Sequence, residues 1–134
     1  MRATAADLDR LTAMVAECEA WFAGPTYTDY ERFIARDFDY HCALVALAGN
    51  PLLAQIYRRL NTHVYVARAY YLRSLTQAER IHREHLAILE AYRRRDPAAA
   101  VERLRAHILG VRADLLRILQ ARAVGEEVSA EETV

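Results

Sequence analysis

The sequence predicts an all-α fold, an antiparallel bundle of about five to six helices. Three observations predict it. Apolar residues recur every three or four positions through most of the 134 residues, the period of a helix that buries one face. Cap and proline signals at Thr4, Asn50-Pro51 and Asp96-Pro97 divide that pattern into helix-length segments. No stretch alternates apolar and polar residues in the manner of a half-buried strand.

Each element has its own justification. Thr4 with Asp7 three residues on reads as an N-cap, and Leu8, Leu11, Val15, Cys18 and Phe22 follow at helical spacing, giving a first helix over 5–23. Ala23-Gly24-Pro25 ends it. Thr28 and Glu31 form a capping box for a second helix to Ala48, with Gly49 as its stop. Asn50 caps a third helix with Pro51 at its first position. Its packing stripe reads Leu53, Ile56, Leu60, Val64, Ala67 and Tyr71, and it ends near Leu72 or Arg73. Thr76 and Glu79 box a fourth helix carrying Ala78, Ile81, His85, Ile88, Leu89 and Tyr92. Asp96-Pro97 opens the fifth, in which Val101, Leu104, Ile108, Val111, Leu115 and Ile118 alternate down to Ala123. Residues 1–123 therefore read as one domain, and 124–134, with Glu126, Glu127, Glu131 and Glu132, as an acidic disordered tail.

Composition excludes several function classes. The formal net charge is zero, so there is no global pull towards nucleic acid or anionic membrane. The Arg93-Arg94-Arg95 run falls at a helix end, where cations complement the helix dipole. No signal peptide opens the chain, and the longest uncharged stretch is broken by Gly49-Asn50-Pro51, a poor membrane span. Cys18 and Cys42 are only two and lie in apolar helical contexts, which fits free thiols in a reducing cytoplasm.

The chemistry concentrates on Asp37 and His41. Four residues apart on a helix, they share one face, and Phe33, Ile34, Phe38, Leu44, Val45 and Ala48 give that region core spacing. A buried carboxylate and imidazole need partners, since an unsatisfied polar group costs several kcal/mol, roughly. His85 stands in the apolar stripe of the fourth helix and His107 beside Leu104, Ile108 and Val111 on the fifth. In a bundle these helices can face one another, and three imidazoles with one carboxylate suit Zn, Ni, Mn or Fe better than Ca or Mg. The plain reading stands beside it: Asp37 and His41 as a hydrogen-bonded pair, and the other histidines as core residues satisfied by neighbours. His63 and His82 have weaker claims, His63 facing the third helix's packing surface and His82 nearer solvent.

Enzyme motifs are largely missing. A di-iron bundle needs two Glu-x-x-His motifs, and only Glu79-Arg80-Ile81-His82 fits. His82-Arg83-Glu84-His85 has the wrong spacing for a zinc-protease helix. There is no Gly-rich phosphate loop and no nucleophile elbow.

Four segments together resemble a known family. Asp37-Phe38-Asp39-Tyr40-His41 is similar to the Asp-x-x-Phe-His signature of the FCD domain, with Tyr40 where Phe is common. Leu47-Ala48-Gly49-Asn50-Pro51-Leu52-Leu53 resembles its Ala-Gly-Asn-x-x-Leu segment. Glu84-His85 with Ile88, Leu89 and Ala91 resembles its Glu-His-x-x-Ile segment, and Asp96 with Ala100 and His107-Ile108 its last conserved pattern. The FCD domain is the effector-binding and oligomerisation domain of FadR/VanR-type regulators of the GntR family. The resemblance implies a divalent metal on Asp37, His41, His85 and His107, a small carboxylate effector beside it, a homodimer, and DNA binding by an N-terminal winged helix-turn-helix. It places Arg68 and Tyr71 as effector-binding candidates. That winged domain and the family's first helix are not in this sequence, so the chain is expected to be either a fragment or a free-standing effector domain. Two readings of other classes stay open: a helical metalloenzyme acting on a small acid, for which no spare acid is evident as general base and turnover lost on Glu84→Ala would be the sign, and a helical interaction module with core histidines.

Overall fold

The computed structural model describes residues 3–21, 27–71 and 75–123. Among them are five α-helices and a short 3-10 turn: α1 Ala5–Ala16 followed by the turn Glu17–Trp21, α2 Tyr27–Ala46, α3 Pro51–Tyr71, α4 Leu75–Arg93 and α5 Pro97–Ala123. The acidic segment 124–134 lies outside the described residues.

The chain's own side chains write most of these boundaries. Thr4 Oγ1 accepts from the Asp7 N–H at 3.2 Å while the Thr4 N–H donates to Asp7 Oδ2 at 3.0 Å, a complete capping box. Asn50 Oδ1 accepts from the Leu53 N–H, and Asp96 Oδ1 from the Ala99 N–H. Gly49 stops the second helix in the left-handed region at φ 68°. Arg95 takes the same conformation at φ 56°, and the Asp96 N–H donates back to the Ala91 carbonyl, closing α4. Three boundaries differ from expectation. The first helix tightens into the 3-10 turn after Ala16, and Thr28 and Thr76 fall inside helices that begin at Tyr27 and Leu75.

α2 packs along α3, α4 packs along α5, and α1 lies against α2 and α4. Two apolar layers form the core. One joins Cys18, Tyr30, Phe33, Ile34, Ala78, Ile81 and Val111; the other joins Leu11, Val15, Tyr40, Leu44, Ile88 and Leu89, with Leu104 packed on it. On each of α2, α4 and α5 the residues between the layers are polar: Asp37 and His41, His85, and His107. A polar layer thus sits between two apolar ones, inside the bundle.

α3 corrects the expected packing. Its aliphatic stripe faces solvent, with Leu60 63% exposed and Ile56 47%. The inward stripe is one residue, about 100°, further round: Ala54, Tyr57, Asn61, Tyr65 and Arg68 are half-buried or buried. Phe38 meets Tyr65 edge-on at 5.7 Å. On α5, Val101 and Ile108 are likewise exposed, whereas Val111 and Ile118 are buried. The arginine run at the end of α4 is partly structural, Arg93 donating to Thr12 Oγ1 and Arg95 to the Ala3 carbonyl.

Candidate metal centre

His41, His85 and His107 meet at one buried point, brought there from α2, α4 and α5. The Nε2 of His41 is 3.2 Å from that of His85 and 3.1 Å from that of His107. Asp37, one turn before His41, turns its Oδ1 towards the same place, 3.4 Å from His85 Nε2 and 3.8 Å from His41 Nε2. That oxygen is buried and has no hydrogen-bond partner. The other oxygen, Oδ2, is bound by the buried guanidinium of Arg68.

Hydrogen bonds among the rings cannot satisfy this cluster. The Nδ1 of His107 lies 2.7 Å from Glu84 Oε2, an acceptor, so a ring hydrogen stands between them on Nδ1. The Nε2 of His41 carries at most one hydrogen, which can point at only one of its two close neighbours. Whichever contact it serves, the other short contact and Asp37 Oδ1 stay unsatisfied. A cation among the three Nε2 atoms would meet all three at once, with Asp37 Oδ1 beside His85 and His41. The spacing fits: two nitrogens held at about 2.0–2.1 Å from one ion at tetrahedral angles lie about 3.3 Å apart.

Electrostatics prepares the same state. Burial pushes His41 down to about 4, outweighing the opposing pull of Asp37. Burial also holds His85 well below the usual imidazole range. Both rings are therefore neutral, the form that binds metals. Burial, the largest single influence, would raise Asp37, but Arg68 and the neighbouring imidazoles together outweigh it, and the carboxyl is held well below its ordinary value. The site offers the neutral imidazoles of His41 and His85 beside His107, and an ionised carboxylate whose charge Arg68 balances.

A cavity of about 370 Å³ adjoins the cluster at His41. Leu44, Val45, Tyr57, Tyr92, Leu104 and Ile108 contribute to its wall, which is otherwise aliphatic.

The other candidates fall elsewhere. Arg68 is inside the bundle on Asp37 rather than at the cavity wall. Tyr71 closes α3, and its side chain lies outside the described residues. His63 is exposed, against the expectation that it packs. His82 is buried rather than near solvent, with Nε2 3.6 Å from Glu19 Oε1. Glu84 stands behind His107, at the ring edge away from the cluster, so it is not poised as a base for water at the centre. The sequence reading passed over the contacts of Arg68 with Asp37 and of Glu84 with His107. The sequence carried no local signal for either, since each joins residues on different helices.

Fold and site together define an all-helical ligand-binding type of domain, with a polar centre in its core and a cavity beside it. The sequence model of the FCD domain matches residues 1–110. The chain belongs to the FCD domain family. It is similar to proteins named HTH-type transcriptional repressor NanR. That of Citrobacter rodentium is 34% identical over 87 residues, covering 63% of this chain and 34% of the relative. That of Cronobacter sakazakii is 30% identical over 116 residues, covering 82% of this chain and 41% of the relative. The chain thus spans between 34% and 41% of the length of these relatives. No solved structure matches significantly.

Proposed function

We propose that this chain is the metal-dependent effector-binding and dimerisation domain of a GntR/FadR-type transcription regulator. The observation that carries this is the convergence of three imidazoles on one buried point, with the unpartnered Oδ1 of Asp37 3.4 Å from His85 Nε2. Asp37, His41, His85 and His107 would hold a divalent transition metal, Zn, Ni, Mn or Fe. The ion would supply positive charge where a carboxylate effector binds. The cavity at His41 is of the size of small-molecule sites, about 300–1,000 Å³. Its largely aliphatic wall favours an acid with an apolar body. A polyhydroxylated acid would leave hydroxyls unpaired, at about 1–3 kcal/mol each. In this reading Arg68 acts through Asp37, fixing which oxygen faces the ion.

Operator recognition belongs to a winged helix-turn-helix N-terminal to this domain, in keeping with the helix-turn-helix names of the relatives. The effector would act by binding one homodimer geometry more tightly than another. Residues 1–123 form the sensing unit, with 124–134 as an acidic tail, in a cytoplasmic regulator. Among the described residues no helix is long and apolar enough to cross a membrane. The enzyme reading is disfavoured by Glu84, which is engaged behind His107.

The test is a zinc titration of chelator-treated protein, followed by elemental analysis and melting temperature. Stoichiometric zinc and a raised melting temperature are expected, both reduced by His85→Ala and His107→Ala. Absence of binding by both measures would show the reading to be wrong. Zinc-loaded protein should then be stabilised by alkanoates more than by alcohols of equal length or by sugar acids.

A further inference from the structure

Behind His107 lies a chain of contacts that neither the fold nor the ligand set requires. Glu84 precedes His85 on α4, so their side chains leave the helix about 100° apart. His85 enters the centre; Glu84 crosses to α5 and meets the rear of His107 at 2.7 Å through Oε2. Its Oε1 is held at 2.5 Å by Nη1 of Arg80, one turn earlier on the same face. The Nη2 of Arg80 reaches Asp114 Oδ2 on α5 at 2.6 Å. One guanidinium fork thereby fixes Glu84 from α4 and ties it to α5. Gly110 makes room for the crossing, since a Cβ there would come within 3.2 Å of Arg80 Nη1.

We propose that Glu84, clamped by Arg80, is a positioning residue that keeps the His107 hydrogen on Nδ1 and so presents the Nε2 lone pair to the centre. An imidazole without a partner at its rear exchanges between two tautomers, and only one of them can ligate through Nε2. A carboxylate at Nδ1 selects the ligating form and fixes the ring plane, the arrangement common behind metal-bound histidines. The clamp's contribution to folding is small. Arg80, Glu84 and Asp114 are 34%, 30% and 23% exposed, and ion pairs that open to solvent contribute little to folding. Their effect therefore falls on the ring rather than on the fold. The inference rests on the proposed metal site for its affinity consequence, but the tautomer exists without metal.

Two measurements on the full chain test it, and they fail separately from the metal reading. The first is the His107 ring in long-range ¹H–¹⁵N spectra of the metal-free protein. The Nδ1–H tautomer is expected in the unsubstituted protein and in Glu84→Gln, whose amide oxygen still accepts, and a mixture or the Nε2–H form in Glu84→Ala. An Nε2–H ring in the unsubstituted protein would overturn the proposal, whatever the metal result. The second is zinc affinity by chelator competition. A loss of about 10–100-fold is expected for Glu84→Ala, with less than tenfold for Glu84→Gln and an intermediate loss for Arg80→Met. The melting temperature of each metal-free variant should stay near that of the parent. Equal affinity in all variants would overturn the positioning role while leaving the four-ligand site intact. Absence of zinc binding by the parent would remove the site itself and leave the tautomer result to stand on its own.

Discussion

The interior between α2, α4 and α5 and the outer face of α3 are written in the same helical period, yet they reach opposite environments. On α4, Ala78, Ile81, His85 and Ile88 point inward and are all buried. On α3, Leu53, Ile56, Leu60 and Val64 have equally regular spacing and are exposed. The adjacent stripe, with Tyr57, Asn61, Tyr65 and Arg68, turns inward instead. The difference is explained by Asp37. A carboxylate in the core needs a cation, and Arg68 provides it from α3. Facing the aliphatic stripe inward would carry Arg68 away and leave Asp37 buried and unpaired, at a cost of about 3–5 kcal/mol. The ion pair forms only with α3 in this rotation.

The sharpest way to break this comparison is Arg68→Met. It keeps the stem's volume and removes the charge, leaving Asp37 alone in the core. A loss of about 3–5 kcal/mol is expected by chemical denaturation. A loss under about 1 kcal/mol would mean that the pair does not orient α3. The next effect is metal. At a free zinc concentration a hundredfold above Kd, stabilisation of about 3 kcal/mol is expected, and less at the same zinc concentration in His85→Ala.

Acidification comes third. His41 is held to about 4 when folded and titrates near 6.5 when unfolded. Between those values the unfolded chain binds more protons, so stability rises with pH and is lost as the pH falls from about 6.5 towards 4. His85, lowered by burial, adds to the loss with the same sign. Asp37, also lowered, removes stability further below its ordinary value of 3.8. The unfolding free energy of metal-free protein should drop between pH 7 and pH 5, by on the order of 1 kcal/mol per pH unit per ring. His41→Gln should flatten that slope, and an unchanged slope would show that His41 does not carry it. The smallest effect expected is Leu60→Ser on the outer stripe of α3, within about 0.5 kcal/mol. A larger loss would mean that this face is covered in solution.

Local chemistry was readable without a structure. Thr4, Asn50 and Asp96 cap helices because short side-chain acceptors reach only the next few amides, and Gly49 stops one because its φ is positive. The spacing of Asp37 and His41 depends only on helix geometry, and His85 and His107 stood out as polar interruptions of apolar stripes. Periodicity, however, measures only whether a helix has a face, and α3 has two. Which one turns inward depends on what α2 offers across the interface, and no local pattern records that. The same limit hid Glu84, whose partner lies on another helix 23 residues away. The sequence by itself determined the helices, their ends and the residues able to meet. The tertiary structure decided the rotation of α3, the pairing of Arg68 with Asp37 and the carboxylate behind His107, because each is a contact between helices far apart in the chain.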